Sequence, residues 1–548
     1  MKETSEQRKT EAWLQYEQGV NYKTRIGLYD EVNKNERNYA GDQWAGIPHK
    51  GLPTPVINVL KSGTGWKIAA VSERQIKLMF SVDGETETDD IKAYITQVNQ
   101  YCEKVWERLK MDYVKDEVLK DAAISGDGIA YFPWDETIRT GQFRQSPVLD
   151  ATGQPVLDPM GQPMMSRVEF MGDIACQLVD NVNYYPGNPN TPDVQGQPYI
   201  ILAFRELVKN VKEEAERNGV SKDDLQLITG DSENDRTAGD RGKLELDDDS
   251  KCNVLLKMWK KDGRVHAEKS TRLVVVKKEY NTKLERYPVA LMNWEPRKNC
   301  CHGVSEMTAV IPNQVYLNKI ASLAQVSQMN HSFPKPIINK SKIVGEWSSD
   351  VSRVIESNGD IQGAAAYLNP GTISYDVKAW FTEILSQTFN MMGANDAVRG
   401  VINDPDNTSA FIAVRDAAMV PLANYQQRFY SFVEDVGLIW LDYMKSYYAG
   451  REIPVTTEGV TTYVPMPDLS QYVLTVKTDV GQATTWSQIQ SLQTIDGWAQ
   501  AGMIRPSEYF EAVKKFHLVD EELLNKLIAK RQQEEAIAAQ IQQMQPTA

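Results

Sequence analysis

The side chains with the clearest chemical potential stand together at Cys300-Cys301-His302. Thiolates and imidazoles are ligands that zinc prefers, so the cluster looks like part of a metal site. Adjacent residues rarely chelate one ion well, however, and no second pair at ligand spacing follows in the sequence. We therefore interpret the cluster as a buried or half-buried thiol pair beside a turn, with a vicinal disulfide as the alternative.

Other patterns for catalysis or phosphate binding are weak. The four remaining histidines have no Ser, Asp or Cys partner at a recognisable spacing. Gly63-Thr64-Gly65 lacks the third glycine of a dinucleotide-binding loop, and no βαβ unit surrounds it, which favours a plain loop. The sequence contains no Walker A motif, no zinc-protease motif and no EF-hand loop. We therefore expect no catalytic site, no metal and no cofactor.

The composition is that of a folded, acidic chain. Hydrophobic residues make up 41% and charged residues 24% of the 548 residues, and the net charge is −14. At roughly 100–200 residues per domain, this length suggests about three to five structural units. Proteins that bind duplex DNA tightly neutralise its phosphates with a surplus of Lys and Arg, so we do not expect tight, sequence-specific DNA binding.

The cysteines and the apolar segments indicate a reducing compartment and no membrane anchor. The five cysteines are odd in number and irregular in spacing, which suits a cytoplasm and not a secreted disulfide framework. The N-terminal residues lack an apolar segment, so no signal peptide is expected. No run of about 18 apolar residues exists, so no membrane span is expected either.

The first 300 residues alternate between helical and strand patterns, separated by turn-rich stretches. The very polar stretch 211–250 predicts a short helix followed by a surface loop. Predicted helices cover 5–40 and 89–125, and predicted strands cover 129–134, 253–259, 272–278 and 287–294.

Two amphipathic helices flank a small unit near residue 350. Apolar residues recur at helical spacing from Met307 to Ala324, and Pro334 ends that run. Residues 337–374 predict a compact mixed unit, and the helix after it carries an apolar stripe of the kind that is usually core. The stripe contains Val377, Trp380, Phe381, Ile384 and Leu385.

The last part of the chain begins with a polar interval after Gly393. A long helix is predicted over 410–448 and strands over 463–466 and 472–477. The pattern is helical again from Thr484 to the end.

Four features resemble the portal proteins of tailed bacteriophages. The first is the turn Asn38–Trp44 with the following segment Pro53–Asn58, and the second is the passage from helix through Gly-x-Gly to strand at Asp121–Ala130. The third is the apolar strand Tyr287–Trp294, followed by Gly303 and a long helix. The fourth is the order of elements after that helix. Each motif is weak, but their order covers nearly the whole chain.

Two details complete the comparison with portals. Within the long helix, the run from Val310 to Gln314 with Leu317-Asn318 is especially similar to the family. Ala40 stands where a larger residue is common, and the polar insert 211–250 has no match.

The resemblance implies an α+β multidomain portal fold with an α/β wing, long stem helices, a small mixed clip and an α-helical crown. It also implies a homododecameric ring at one capsid vertex, which serves as the channel for DNA packaging and ejection and is not an enzyme. The implied boundaries are 1–303 for the N-terminal wing, 304–332 and 375–393 for the stem helices, 333–374 for the clip, 394–408 for the tunnel loop, 409–483 for the rest of the wing and 484–548 for the crown.

The implied partners follow from the same family. They are further copies of the chain, the terminase large subunit, a head–tail adaptor, the major capsid and scaffolding proteins, and double-stranded DNA that passes through without sequence-specific contacts. The implied location is the capsid vertex of the virion, and the bacterial host cytoplasm during assembly, without a membrane.

The resemblance also assigns candidate residues. In the tunnel loop, Arg399 is the only cation, and it either contacts DNA or forms a surface or intersubunit contact. In the stem, the stripe from Val377 to Leu385 would pack between subunits. The tunnel loop also contains Asn395, Asn403 and Asn407 as neutral polar residues. The clip contains Lys335, Lys340 and Lys342, and these lysines either dock acidic partners or serve solubility alone.

Two other classes of protein remain open. A different phage head or tail structural protein would share the acidic, cysteine-poor character, but it would not need two helices around a small unit or a closed ring. A cytoplasmic enzyme of an unrecognised fold would need a polar cluster in a pocket. A terminase large subunit is excluded, because it requires a phosphate-binding loop.

Overall fold

The computed structural model describes most of the chain with gaps. The described residues divide into a larger unit within 1–71 and 78–477 and a smaller unit within 72–77 and 478–548. The described ranges are 9–72, 76–82, 89–148, 154–156, 162–230, 251–333, 335–346, 354–368, 375–394, 417, 419–448, 451–457, 460–465, 474–480, 494–514, 524 and 527–531.

Helices and open antiparallel sheets are mixed along the chain. The helices are α1 (Glu11–Arg25), α2 (Leu28–Ala40), α3 (Val59–Ser72), α4 (Asp89–Arg108), α5 (Met111–Ser125), α6 (Val208–Arg217), α7 (Lys222–Gln226), α8 (Glu306–Ser332), α9 (Tyr375–Met391), α10 (Ala423–Tyr447) and α11 (Pro506–Lys514).

The strands are mostly short. They are β1 (Ile76–Val82), β2 (Asp127–Tyr131), β3 (Trp134–Pro147), β4 (Met165–Ile174), β5 (Gln177–Val179), β6 (Tyr184–Pro186), β7 (Tyr199–Leu207), β8 (Lys251–Lys261), β9 (Arg264–Ser270), β10 (Val275–Asn281), β11 (Val289–Asn293), β12 (Lys335–Ile338), β13 (Ile343–Val344), β14 (Glu356–Ser357), β15 (Ala365–Leu368), β16 (Glu452–Thr457), β17 (Val460–Pro465) and β18 (Leu474–Val480).

The predicted helix 5–40 is two helices, and this part of the prediction was wrong. Thr10 caps the start of α1, because its hydroxyl accepts the backbone N–H of Trp13 at 3.3 Å. Gly27 has φ +72° and separates α1 from α2. This left-handed conformation favours glycine and breaks the helical hydrogen-bond ladder.

A five-stranded sheet forms one core of the larger unit. Its order is β10-β9-β8-β7-β6, and every neighbouring pair is antiparallel. Successive strand residues point to opposite faces. Leu255 packs with Trp13 and Tyr16 of α1, whereas Val254 packs with Val211 of α6. The two helices therefore cover opposite faces of the sheet.

A three-stranded sheet of order β11-β2-β5 forms the second core. Residues 127–130 of β2 are all buried, as expected of a strand that is covered on both faces. The strand starts two residues before its predicted position, and the sheet packs against α10. The hydroxyl of Tyr443 in α10 donates to the backbone oxygen of Phe132 at 2.6 Å.

Helices α8 and α9 form a long hairpin (the α8–α9 hairpin, residues 306–391) with four short strands between them. At 1.5 Å per residue, the 27 residues of α8 span about 40 Å. All buried residues of α8 lie between Met307 and Ser322, and none of its last ten residues is buried. Pairing of β12 with β15 and of β13 with β14 closes the far end. The second half of α8 therefore projects from its own chain.

Gly63-Thr64-Gly65 lies inside α3, so its interpretation as a loop was wrong. Gly63 faces Met392, which follows α9, and any side chain at this position would overlap the Met392 thioether. The missing side chain lets the end of the hairpin pack on α3. Met392 is fully buried there with Leu60 and Met307.

Several sequence predictions fall partly outside the described residues. The tunnel loop beyond Ala394 and the polar stretch 231–250 lie outside them. The predicted helix 410–448 is described from 419 onward, as a short 3-10 turn followed by α10. In the smaller unit, residues 494–500 and α11 are helical, and the hydroxyl of Tyr509 donates to Asp496 at 2.6 Å.

Candidate assembly surface and its buried anchor

The base of α8 is held by an amide anchor that consists of Gln43, Gln314 and Asn318. Gln314 is 0% exposed, and its Oε1 accepts the backbone N–H groups of Val59 at 2.9 Å and Leu60 at 3.2 Å. These are among the first N–H groups of α3, which have no partner within their own helix. The side chain of Gln314 therefore caps a neighbouring helix.

Asn318 extends the anchor by one helical turn. Its Oδ1 accepts from Gln314 Nε2 and from the backbone N–H of Ile57, both at 3.1 Å. Its Nδ2 donates to Gln43 Oε1 at 2.6 Å, and Gln43 Nε2 donates to the backbone oxygen of Asn38 at 3.0 Å. The anchor joins the turn after α2, the start of α3 and α8. The first and third portal-like passages therefore meet here.

A second buried network lies where β2 meets the chain that leads into α8. Asp127 Oδ1 accepts from the backbone N–H of Gly303 at 2.7 Å and from Asn293 Nδ2 at 2.6 Å. Asp127 Oδ2 lies 2.7 Å from His302 Nδ1. A Cβ atom on Gly303 would stand 2.6 Å from the backbone oxygen of Gly126, so only glycine fits this crossing. The second portal-like passage therefore contacts the third.

The cluster Cys300-Cys301-His302 lies at this second network. Both thiols are free and buried, as the sequence interpretation of a buried pair predicted. The Cys301 thiol donates to Cys300, which lowers the pKa of Cys300 and raises that of Cys301. No three His, Cys, Asp or Glu side chains meet in metal-binding geometry within the described ranges. Sequence reasoning missed Asp127 as the partner of His302.

Lys23 of α1 is buried near the same network. Its Nζ donates to the backbone oxygen of Asn181 at 2.6 Å and lies 3.9 Å from the centre of the Tyr185 ring. Burial disfavours the charged ammonium group and lowers the pKa of Lys23 to about 7, although nearby Cys301 and Asp180 oppose this shift.

We expect Lys23 to make stability depend on pH between about 7 and about 10. In this range the unfolded chain keeps a proton on Lys23 that the folded chain has released, so the stability of the fold decreases as the pH is lowered towards 7. Below about pH 7, Lys23 is protonated in both states and causes no further decrease. Lys23→Met should flatten the profile by up to about 1.4 kcal/mol per pH unit. Urea unfolding followed by tryptophan fluorescence measures this slope.

The matched control is Lys209→Met, because the Lys209 side chain is highly exposed. It should leave the pH profile of the wild-type chain unchanged. Parallel profiles for the wild type and Lys23→Met would show that Lys23 does not titrate in this range.

The surface of the α8–α9 hairpin is unusually apolar. Of the 26 large hydrophobic side chains that are exposed among the described residues, 13 lie on this hairpin of 86 residues. They include Leu323, which is 60% exposed, and Phe333 at the end of α8. Soluble monomers rarely expose large contiguous apolar patches, and such patches mark interaction surfaces.

The predicted stem stripe on α9 is only partly covered. Val377 is 41% and Trp380 is 58% exposed, so the core interpretation is wrong for these two residues in the single chain. Phe381, Ile384 and Leu385 are half-buried. Nearer the base, α9 packs on α8, where Asn313 Nδ2 donates to Thr388 Oγ1 at 3.3 Å.

The clip lysines differ in their surroundings. Lys335 and Lys340 are exposed, whereas Lys342 is half-buried and its Nζ donates to the backbone oxygen of Gln362 at 2.7 Å. Lys342 is therefore held by a contact within the segment between α8 and α9. The tunnel-loop candidates lie outside the described residues, namely Asn395, Arg399, Asn403 and Asn407.

The similarity of the chain to known proteins is low. No protein-family model and no curated protein matches the chain. Among solved structures, one similar chain comes from the "Neck of empty GTA particle computed with C6 symmetry", at 10% identity and a TM-score of 0.32. The match covers 87% of this chain and 93% of that chain. At this TM-score the likeness carries no argument about function. No described helix has the length and apolar composition needed to cross a bilayer.

Proposed function

We propose that the chain is a phage portal subunit, which assembles into a closed ring at a capsid vertex and conducts double-stranded DNA during packaging and ejection. The observation that carries this proposal is the α8–α9 hairpin. It projects from its own chain, exposes apolar side chains and is fixed at its base by two buried polar networks. A structural role requires no catalytic residues.

A closed ring needs two different, complementary surfaces on each copy. The hairpin offers two candidates. On α8, Tyr316 and Leu323 are exposed and lie seven residues apart, hence on one helix face. On α9, Val377 and Trp380 are exposed on the stem stripe. We assign the first face to one neighbouring copy and the second face to the other.

The remaining parts take the roles that the portal arrangement gives them. The strands between α8 and α9 form the clip, where Lys335 and Lys340 face an acidic surface of the terminase or of a head–tail adaptor. Residues 394–408, with Arg399, form the tunnel loop that meets DNA, and residues 484–548 form the crown. The capsid and scaffolding proteins contact the wing.

The charge of the chain suits a channel for a sliding polyanion. A basic wall would gain affinity for phosphates at every step, whereas an acidic chain with a net charge of −14 avoids this. We therefore expect DNA to pass without sequence-specific contacts.

Negative-stain electron microscopy of the purified full-length protein tests the proposal. We expect rings of about twelve copies with a central channel. A different phage structural protein would not need to form such a ring. A compact dimer with a deep pocket, or a monomer at every concentration tested, would contradict the portal assignment.

A further inference from the structure

A surface cleft of about 580 Å³ lies at the C-terminal end of α10. The start of β9, the end of β10 and the loop between β10 and β11 complete its walls. The portal assignment gives this cleft no role.

Three acceptor atoms of the cleft already have partners within the chain. Asp442 Oδ2 accepts the backbone N–H groups of Glu285 at 2.8 Å and Arg286 at 2.9 Å. Glu285 itself pairs with Arg264 Nη2 at 3.4 Å. The backbone oxygen of Lys283 accepts from Arg264 Nη1 at 2.5 Å and from the hydroxyl of a serine on α10 at 3.1 Å.

The donors of the cleft are largely unused. Lys283 and Lys445 are exposed, and neither has a carboxylate within ion-pair distance among the described residues. The Lys283 ammonium lies 5.7 Å from the centre of the Tyr447 ring. Asn281 uses its Oδ1 to accept the backbone N–H of Lys283 at 2.6 Å, so its amide N–H₂ group remains available.

The cleft is therefore a local positive site on an acidic chain. Arg264, Lys283 and Lys445 contribute three cations, against one solvent-facing carboxylate, that of Glu285. Burial raises the pKa of Asp442, and its carboxylate is turned to the backbone. Lysine ammonium groups with a nearby amide donor suit the recognition of anionic oxygens.

We propose that this cleft binds an acidic peptide segment of a partner protein, with carboxylates held between Lys283 and Lys445. A short acidic segment contacts the cleft alone. A nucleic acid would extend beyond it over a chain whose net charge is −14, where repulsion acts within the Debye length of about 8 to 10 Å. The charge distribution therefore favours the peptide.

Fluorescence anisotropy with the full-length protein tests this inference. The probes are a labelled octapeptide of Asp and Glu and a labelled thymidine oligonucleotide of equal length. We expect the peptide to bind, and its affinity to fall as NaCl rises from about 50 to about 300 mM. The double variant Lys283→Gln/Lys445→Gln should bind the peptide at least about tenfold more weakly.

The matched control is Lys209→Gln/Lys222→Gln, which removes two exposed lysines elsewhere in the described chain and should bind like the wild type. Equal melting temperatures show that all variants are folded. Equal peptide affinity of the wild type and the cleft variant would overturn the proposal. Tighter binding of the oligonucleotide, lost in the cleft variant, would also overturn it in favour of nucleic acid, as would the absence of peptide binding.

Discussion

A chain that carries Trp380→Asp is expected to fold normally and to remain monomeric. The Trp380 side chain is 58% exposed in the single chain, so its replacement removes little packing there. In a ring, the new carboxylate would be buried against a neighbouring copy without a partner, which costs several kcal/mol. A loss of about 3 kcal/mol per interface weakens association by more than about 100-fold. Mass photometry and negative-stain imaging measure this loss directly.

A control on the same helix separates the stripe from a general effect of charge. Ala379 is exposed and lies on the opposite side of α9 from Val377. Ala379→Asp should therefore assemble like the wild type, whereas Val377→Asp should fail like Trp380→Asp. Rings of normal size from Trp380→Asp would remove the stem stripe from the intersubunit contact.

The second large effect is expected from Gln314→Ala at the amide anchor. Truncation removes the partner of the buried Leu60 N–H group and one of the two acceptors of the Val59 N–H group, which also donates to the backbone oxygen of Ile57 at 2.8 Å. An unsatisfied buried group costs about 1–3 kcal/mol, so we expect the start of α3 to lose about 1–3 kcal/mol of local stability. Hydrogen–deuterium exchange measures this, and the Leu60 amide should exchange on the order of 10-fold to 100-fold faster.

Gln325→Ala is the matched control, because Gln325 lies on the same helix and is exposed. Its exchange profile should equal that of the wild type. Unchanged protection of the Leu60 amide in Gln314→Ala would mean that the anchor does not hold α3.

The sequence predicted the presence of helices and strands better than the positions where a helix breaks or continues. The two helices around a small unit follow from apolar spacing, and α8 and α9 lie within two residues of the bounds that the family resemblance implied. The break at Gly27 was missed because the apolar and charged pattern continues across it. Gly63 was taken for part of a loop, since a glycine that makes room for Met392 cannot be distinguished in sequence from one that makes a turn.

The contacts of the buried polar networks could not be predicted from the sequence. Gln314 and Asn318 were noticed only through the family resemblance, because nothing local distinguishes a buried amide from a solvated one. Asp127 and His302 lie 175 positions apart, and the contact exists only because β2 pairs with β11. Spacing alone could not predict the exposure of Trp380 either, because a stripe that packs on its own chain and one that packs on another copy have the same period; only the family resemblance implied packing between copies.

The amide anchor bears on the number of copies in the proposed ring. In a closed ring of about twelve copies, each copy is rotated by about 30° from the next, and closure with thirteen copies needs only about 2° less. The last buried residue of α8 is Ser322, and the hydrogen bonds of Gln314, Asn318 and Ser322 hold the helix up to this point. Loosening these bonds would relax the angle between copies, and the number of copies per ring would become a distribution.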